Sequence, residues 1–515
     1  MTWVDRVLLE LAPRWALRRI RARVAGAALT RHYEAASSGP RTQGWRRPSS
    51  DPNAASAPAL SALRNTARDV IRNNPYAAAA VSTLVDHVVG WGILGAPENG
   101  NRAAAARWRA WAETTACDPE GRLDFAGLQK QVLRTVIESG EVLVRRRVRL
   151  REDGLPIPLQ LQVLEPDYLD VSKDGITNAG GGRIIQGVEF NPIGQRIAYW
   201  LHREHPGSLV PGAGFGQSDR IPASEILHVW HAGRPGQVRG VSWFAPVLLR
   251  LKDLDDYEDA ALVKQKVAAC LAVITTDVEG TGAPLGRTTD GEAQIDMLEP
   301  GLILNAPAGR TISVVNPPDV SEHDAFVSTT LRAIASALGL GYEDLTGDYA
   351  NMPFSAARMS RLRLQARVED WRWTMLVPQF LDPVWTWAMQ LAATVDPAIP
   401  GGRRVPVEWT APAMPMVDPA QEGLAYMRNI RAGIMTLSEA IRERGYHPAA
   451  MLKEMAADNA RLDELGLRLD SDARYLTQAG QFQSMLGGGT PDELPAEEPA
   501  EEPVPAVTRN GRPAR

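Results

Sequence analysis

The chain is poor in cysteine, lysine and long apolar runs, and it lacks the P-loop, the H-E-x-x-H and the G-x-S-x-G signatures. Its 515 residues carry two cysteines, Cys117 and Cys270. Two thiols cannot make a disulfide framework, and a reducing cytosol is their simplest home. No uncharged apolar run approaches the ~18 residues that a membrane helix needs, and the first residues lack the apolar core of a signal peptide. There is no G-x-x-x-x-G-K-[ST] and no Gly-Lys pair at all, so no phosphate cradle for ATP. H-E-x-x-H and G-x-S-x-G are also missing. Whatever this protein moves or holds, it is passive toward ATP. The formal net charge is only -5, so bulk charge does not announce a nucleic-acid partner. The six lysines are far outnumbered by arginine, with alanine also abundant. A GC-rich genome gives that composition, so arginine richness alone says little about phosphate binding.

Length allows a few domains with large cores. Met1 to Arg47 holds ten arginines against Asp5, Glu10 and Glu34; it reads as a solvated basic tail or as an arm touching DNA, scaffold or capsid. Pro48 to Pro58 is a linker. Leu60 to Val89 is helical, with Pro75 placed to split it in two. Arg102 to Thr114 and Asp124 to Glu138 are further helices. Alternating segments follow at Val142 to Leu150, Leu159 to Leu164, Ile184 to Phe190, Arg196 to His202 and Ile226 to His231. Together these predict an α+β domain.

Arg239 to Thr276 is the stretch around which the chain is organised. Phe244, Val247, Leu248, Leu251 and Leu254 recur at helical steps. Ser242 is placed to cap a helix whose first turn holds Pro246, and a helix from Ser242 to Leu271 would be ~45 Å long. Its middle is densely charged: Asp253, Asp255, Asp256, Glu258 and Asp259, then Lys264 and Lys266. Such a helix leaves its own core and meets solvent or other subunits. Strand-like pieces at Ala272 to Thr275, Leu302 to Leu304 and Ile312 to Val315 come next, around a Gly-rich loop at Glu279 to Gly291. Helix returns at Asp319 to Leu338. Gly339 to Pro353 reads as a loop. Phe354 to Ala392 reads as a second very long helix that Pro378 and Pro383 kink or break. Val405 to Trp409 is a strand. Thr436 caps one short helix and Pro448 starts another. The Pro/Glu tail after Gly487 cannot bury a core.

Three constellations could carry chemistry. His202/His205 and His228/His231 could together mimic a four-histidine metal site, but H-x-x-H on a strand points its two rings to opposite faces, and hydrogen-bonded loop histidines are preferred. The acidic run Asp253 to Asp259 could bind magnesium for a nuclease. One helix, however, scatters those carboxylates around its cylinder, and a solvated face salt-bridged to neighbours is favoured. The pairs Trp371/Trp373 and Trp385/Trp387 could stack bases, but tryptophan at helical spacing more often packs a core.

Arg-Gly-Val-Ser-Trp243, followed by Ala245-Pro-Val-Leu-Leu-Arg-Leu-Lys-Asp-Leu-Asp-Asp-Tyr-Glu-Asp-Ala260, resembles the signature of the lambda-type portal proteins of tailed bacteriophages. Tyr342-Glu-Asp-Leu-Thr-Gly-Asp348 with Phe354-Ser-Ala-Ala-Arg358, and upstream Leu164-Glu-Pro-Asp167 and Gly187-Val-Glu-Phe190, agree. The likeness runs from about residue 60 to about residue 470 and departs at Asn351-Met-Pro-Phe354. The resemblance implies a portal fold: residues 1–58 an arm and linker, 59–240 an α/β wing, 241–270 a stem helix, 271–318 a strand-rich clip, 319–338 a second stem helix, 339–353 a tunnel loop. Residues 354–417 would be a long wing helix and strand, 418–486 a helical crown and 487–515 a disordered tail.

The resemblance further implies a dodecameric ring at one capsid vertex, assembled in the bacterial host cytoplasm and carried in the virion. It would pass double-stranded DNA without regard to sequence in packaging and ejection. Its partners would be the terminase large subunit, major capsid and scaffold proteins, and head-completion or tail adaptors, with no membrane, metal or cofactor. Gly347, Asp348, Tyr349 and Asn351 would belong to the tunnel loop, and Asp253, Asp256, Glu258, Lys264 and Lys266 to the stem. Arg358, Arg361 and Arg363 would bond neighbouring subunits. The alternatives are a metal-dependent nuclease built on the Asp or His clusters, which Asp256→Ala would abolish, and another ring-forming connector or adaptor without a stem and clip.

Overall fold

The computed structural model describes residues 48–98, 100–176, 181–210, 212–269, 273–277, 310–314, 323–350, 352–401, 405–416 and 418–467, with positions 40, 43–45, 469 and 474. The basic arm, most of the segment expected as a clip, Asn351, Cys270 and the Pro/Glu tail lie outside the described residues. The chain divides into two compact units, one up to Gly423 and one from Leu424.

The first unit opens with α1 (Pro52–Ser56), α2 (Leu60–Asn73) and α3 (Pro75–Val88). Pro75 does split the helical run. It occupies the first position of α3, where its missing N–H costs nothing, and the Asn74 side chain accepts from Ala77 N at 2.9 Å. β1 (Leu94–Pro97), α4 (Arg102–Ala112) and α5 (Phe125–Ser139) follow. Asp124 caps α5 and Gly140, at φ +91°, ends it.

Strands β2 (Glu141–Val148), β3 (Leu159–Leu164), β4 (Gly175–Ile176), β5 (Arg183–Ile185), β6 (Val188–Phe190), β7 (Arg196–His202), β8 (Ser218–Pro222) and β9 (Ile226–Trp230) make two antiparallel sheets. One has the order β3-β2-β9, the other β4-β5-β6-β7-β8. Val142 and Val144 belong to the larger core, under the helices, while Leu143 between them belongs to a second core with Leu201, Tyr199 and Phe190. Because both faces of β2 are covered, the run Val142 to Val144 is apolar throughout rather than alternating. The run expected as one strand from Ile184 to Phe190 is two, turned at Gln186 and Gly187, which both adopt positive φ.

Next come α6 (Leu248–Ala269), β10 (Val273–Asp277), β11 (Arg310–Val314), α7 (His323–Leu338), α8 (Tyr342–Thr346) and α9 (Phe354–Trp371). α6 starts at Leu248, six residues later than Ser242. Residues 243–247 form turns, held by Ala245 N to Ser242 O and Leu248 N to Phe244 O, both at 3.0 Å. Pro246 supplies no N–H and biases Ala245 away from the helical region, so regular bonding begins only beyond it. The described helix of 22 residues is therefore ~33 Å long. The segment 339–353 contains α8, a helical turn not expected from its Gly, Asp and Asn content. Asp344 accepts from Gly341 N at 3.0 Å and Gly347 closes the turn at φ +72°.

The long helix after Phe354 is not broken by proline. α9 runs through a ten-residue π segment, Arg372–Leu381, into α10 (Asp382–Val395). Pro378 sits inside the π segment, where wider turns accommodate its ring and missing donor. Arg372 is buried there and satisfies three backbone carbonyls: Val88 at 2.7 Å, His87 at 2.9 Å and Pro412 at 3.1 Å. β12 (Val407–Thr410) pairs antiparallel with β1. Trp108, Trp111, Phe125, Phe380, Trp385 and Trp409 form one aromatic cluster with ring centroids 4.7 to 6.2 Å apart. The indole N–H groups of Trp111 and Trp385 donate to Leu159 O and Val405 O, so the burial leaves neither donor unpaired.

α11 (Pro419–Arg431) crosses the boundary between units; α12 (Leu437–Glu443) and α13 (Pro448–Glu464) lie in the second. Thr436 caps α12 by accepting from Glu439 N at 3.1 Å.

Candidate functional site

α6 leaves the core through its charged middle, and the structure divides its carboxylates between two faces. Leu251, Leu254 and Ala261 are buried. Beside them Asp255 accepts from Asn74 Nδ2 at 2.6 Å, and Glu258 accepts from the Tyr76 hydroxyl at 3.4 Å. Burial, with Glu258 second, raises the Tyr76 phenol above its ordinary value and keeps it a donor. Tyr257 stacks on His323 of α7 and lies 4.3 Å from the Phe326 ring. Asp253, Asp256 and Asp259 are exposed, with Lys252 paired to Asp256. Lys264 is half-buried and Lys266 exposed.

The strands β10 and β11 pair antiparallel, Val273 opposite Val314 and Asp277 opposite Arg310. α6 and α7 are in contact. The chain therefore goes out along α6, turns through a strand pair and comes back along α7.

Two of the expected groups meet at the base of this arrangement. Glu258 of α6 and Asp348 of the following loop line one cleft of about 690 Å³, with Tyr76, His323, Arg332 and Glu343. Arg332 lies over the Tyr342 ring, 5.1 Å from its centroid. A second cavity of about 220 Å³ brings Tyr349 to Arg361, together with Asp344, Ser360, Leu364 and Met416. The loop is locally bonded: Asp348 N donates to Thr346 Oγ1 at 3.2 Å and Ala350 N to Asp348 Oδ1 at 3.0 Å. Tyr349 itself is 58% exposed. The three arginines of α9 separate. Arg361 is half-buried toward that cavity, whereas Arg358 and Arg363 are exposed and neither has an ion-pair partner among the described residues.

Sequence reading missed the group that fixes where α6 begins. Glu141, on the first residue of β2, is fully buried. It accepts from Arg239 Nε at 2.8 Å, from Gly240 N at 2.7 Å and lies 2.9 Å from His228 Nε2. Arg239 also donates to Gln186 O at 3.2 Å. Burial alone would raise the Glu141 carboxyl, but Arg239 and His228 outweigh it and hold it well below the usual carboxylate range. Burial pushes His228 below its ordinary value, against the pull of Glu141, and so disfavours its charged form.

The other motif residues also have structural partners. Asp167 is 2.7 Å from Arg68 Nη2 and 3.3 Å from Arg64 Nε. Glu189 holds Arg220 with two bonds, 2.8 and 3.1 Å. Among the described residues Glu165, Asp167 and His205 form a group within metal-ligand reach, but Arg68 bridges both carboxylates at 3.1 and 2.7 Å and already supplies the cation. The two H-x-x-H pairs do not join into one such group. His205 faces Glu165 at 3.2 Å, His228 faces Glu141, and His231 meets the Trp243 ring. Of the four paired tryptophans, Trp371, Trp385 and Trp387 are buried and Trp373 is exposed, bonded to Glu369 at 2.6 Å.

A family model described as "Phage portal protein, lambda family" matches residues 38–372. The "Probable portal protein" of Halomonas phage phiHAP-1 is 26% identical over 425 residues, 79% of this chain and 81% of the relative. "Portal protein B" of Escherichia phage lambda is 25% identical over 369 residues, 62% of this chain and 67% of the relative. Among solved structures, one described as "Neck of native GTA particle computed with C12 symmetry" covers 79% of this chain and 98% of its own, at 15% identity and a TM-score of 0.42. A "HK97 Family Phage Portal Protein from Corynebacterium diphtheriae" covers 70% and 96%, at 9% identity and a TM-score of 0.30.

Proposed function

The chain belongs to the lambda family of phage portal proteins, and on that premise we propose that it forms a dodecameric ring at one capsid vertex, through which double-stranded DNA enters during packaging and leaves at ejection. The observation that carries the reading is the helix, strand pair and helix sequence of α6, β10, β11 and α7, followed at once by the loop after α8. That order fits a stem, a clip and a second stem helix, with the loop at the channel.

The role is structural rather than catalytic. The carboxylates of α6 point to two different sides of the helix, and the inward pair bonds Asn74 and Tyr76, so they offer no gathered cation site. A duplex channel has to avoid tight phosphate pairing, since each neutralised phosphate adds affinity and slows sliding. Tyr349 and Asp348 supply contact without a fixed positive charge. The ring would dock the terminase large subunit and later head-completion or tail adaptor proteins, and sit among capsid and scaffold proteins. Negative-stain images of the purified full chain test the reading: rings with a central channel and a narrow stem are expected. Monomers at every concentration, or rings without a stem, would overturn it.

A further inference from the structure

Two helices of the first unit each leave one face without a partner among the described residues, and the two faces are opposite in charge and alike in apolar content. On α9 the rows Phe354–Arg358–Leu362 and Met359–Arg363–Ala366 are all exposed, Met359 at 66% and Leu362 at 52%, while Leu364, Val368 and Trp371 on the other side are buried. Three- and four-residue steps put these rows side by side on one surface. On α6 the row Leu249–Asp253–Asp256–Ala260–Val263 is exposed, Leu249 at 80%, with Asp259 beside it. The α9 rows span ~18 Å and the α6 row ~21 Å at the standard rise per residue, so one can lie along the other.

Resting on the ring reading above, we infer that the outer face of α6 on one subunit docks on the outer face of α9 on the next. The three aspartates less Lys252 leave two negative charges on one face, and Arg358 and Arg363 supply two positive charges on the other. The faces are different surfaces of the same chain, so the contact is heterologous, the kind that closes into a ring. Apolar side chains between the charges argue against DNA as the occupant of the α9 face: phosphates would use the arginines and leave Phe354, Met359 and Leu362 in water. Arg361 has no part in it, being turned toward its own chain's cavity.

Complementation by mixing tests this. One full-length variant carries Asp253→Lys, Asp256→Lys and Asp259→Lys; the other carries Arg358→Glu and Arg363→Glu. All five positions are exposed. Alone, each variant sets like charge against like, and its assembled fraction in sedimentation velocity should drop ~10-fold or more. Mixed in equal amounts, the two match at every contact of an alternating ring, and assembly should return to within ~2-fold of wild type. Recovery on mixing also shows that both variants fold. Either variant assembling normally alone, as a DNA-binding or purely solvated face would allow, overturns the pairing; so does a mixture that stays unassembled while wild type assembles. A wild-type chain that never assembles would instead sink the ring reading itself.

Discussion

Arg239 Nη2 lies 2.6 Å from Glu141 Oε1, and their side chains are 1% and 0% exposed. This pair ties the first residue of β2 to the segment that turns into α6, so the take-off point of that helix is set inside the α+β part of the first unit. A buried pair of this kind contributes little net stability while whole, but removing one partner strands the other charge. Glu141→Gln leaves Arg239 without a counter-ion and should lower unfolding free energy by ~3–5 kcal/mol. A urea midpoint unchanged from wild type would show that water or another group takes the carboxylate's place.

The same cluster gives a pH dependence. Burial lowers His228 below its ordinary value, and Glu141 and Arg239 already balance one another beside it, with Arg196 nearby on the Trp230 ring. A histidine with a lowered folded pKa is bound by a proton more readily in the unfolded chain. Its contribution is complete above the ordinary value of 6.5 and is lost as pH falls below it. The slope approaches ~1.4 kcal/mol per pH unit for one proton. Glu141, also lowered, adds loss of the same sign below its ordinary 4.5. Urea midpoints from pH 7.5 to 5.5 should therefore fall for wild type and stay flatter for His228→Asn. Parallel curves would assign the slope to other groups.

Two glycines let the backbones of this cluster touch. A Cβ on Gly140 would come within 2.4 Å of Val241 C, and one on Gly240 within 2.1 Å of Gly140 O. Those neighbours are backbone and cannot swing aside. Gly240→Ala should cost more than the ~1 kcal/mol that an ordinary glycine change brings, and it should do so with the Glu141 pair chemically intact. A thermal midpoint within error of wild type would mean that the β2 and pre-α6 segments can part.

Much of residues 60–230 was legible because the elements there obey simple periods. The strands at Leu159–Leu164 and Arg196–His202 fall where their alternation predicts, and the break before Pro75 follows from one missing N–H. The Glu141 cluster was not legible, since its members stand 87 and 98 positions apart and no local pattern links them. Nor could spacing tell Arg361 from Arg358 and Arg363: all three lie on one charged run, and only packing turns one of them inward. The start of α6 was read too early because Ser242 is a good cap by type, yet its hydroxyl accepts from Phe244 N within the turn ahead of the helix.

The proposed clip carries the next prediction. Residues 278–309 connect β10 to β11, and they lie outside the described residues. In chain order they fall between the outgoing α6 and the returning α7, the part of the chain that would meet a motor in the proposed ring. Replacing Glu279 to Gly291 with a short Gly-Ser linker should leave rings intact in electron micrographs and abolish DNA packaging. Normal packaging by such rings would place the motor contact elsewhere.

The loop after α8 gives the sharpest test of how the proposed channel would act on DNA. Gly347 ends α8 in the left-handed region, where a side chain would be strained, and this turn releases the chain from the helix. Pro353 then sits as the cap of α9 and keeps Met352 from joining it. Between these two stops, Asp348 and Tyr349 face different cavities: Asp348 the acidic cleft with Glu258, Tyr349 the smaller one with Arg361. Nothing among the described loop residues offers a fixed positive charge, so contact with a duplex would come from fit, not phosphate pairing, and would be sequence-independent. Deleting Asp348 to Asn351 removes residues of which the described ones, Asp348 to Ala350, are exposed and bonded only locally, so it should preserve the ring. Packaged DNA should become shorter or leak from filled capsids, equally for templates of different base composition. Wild-type length and retention would remove the loop from the channel, and a defect confined to one template sequence would replace fit with base readout.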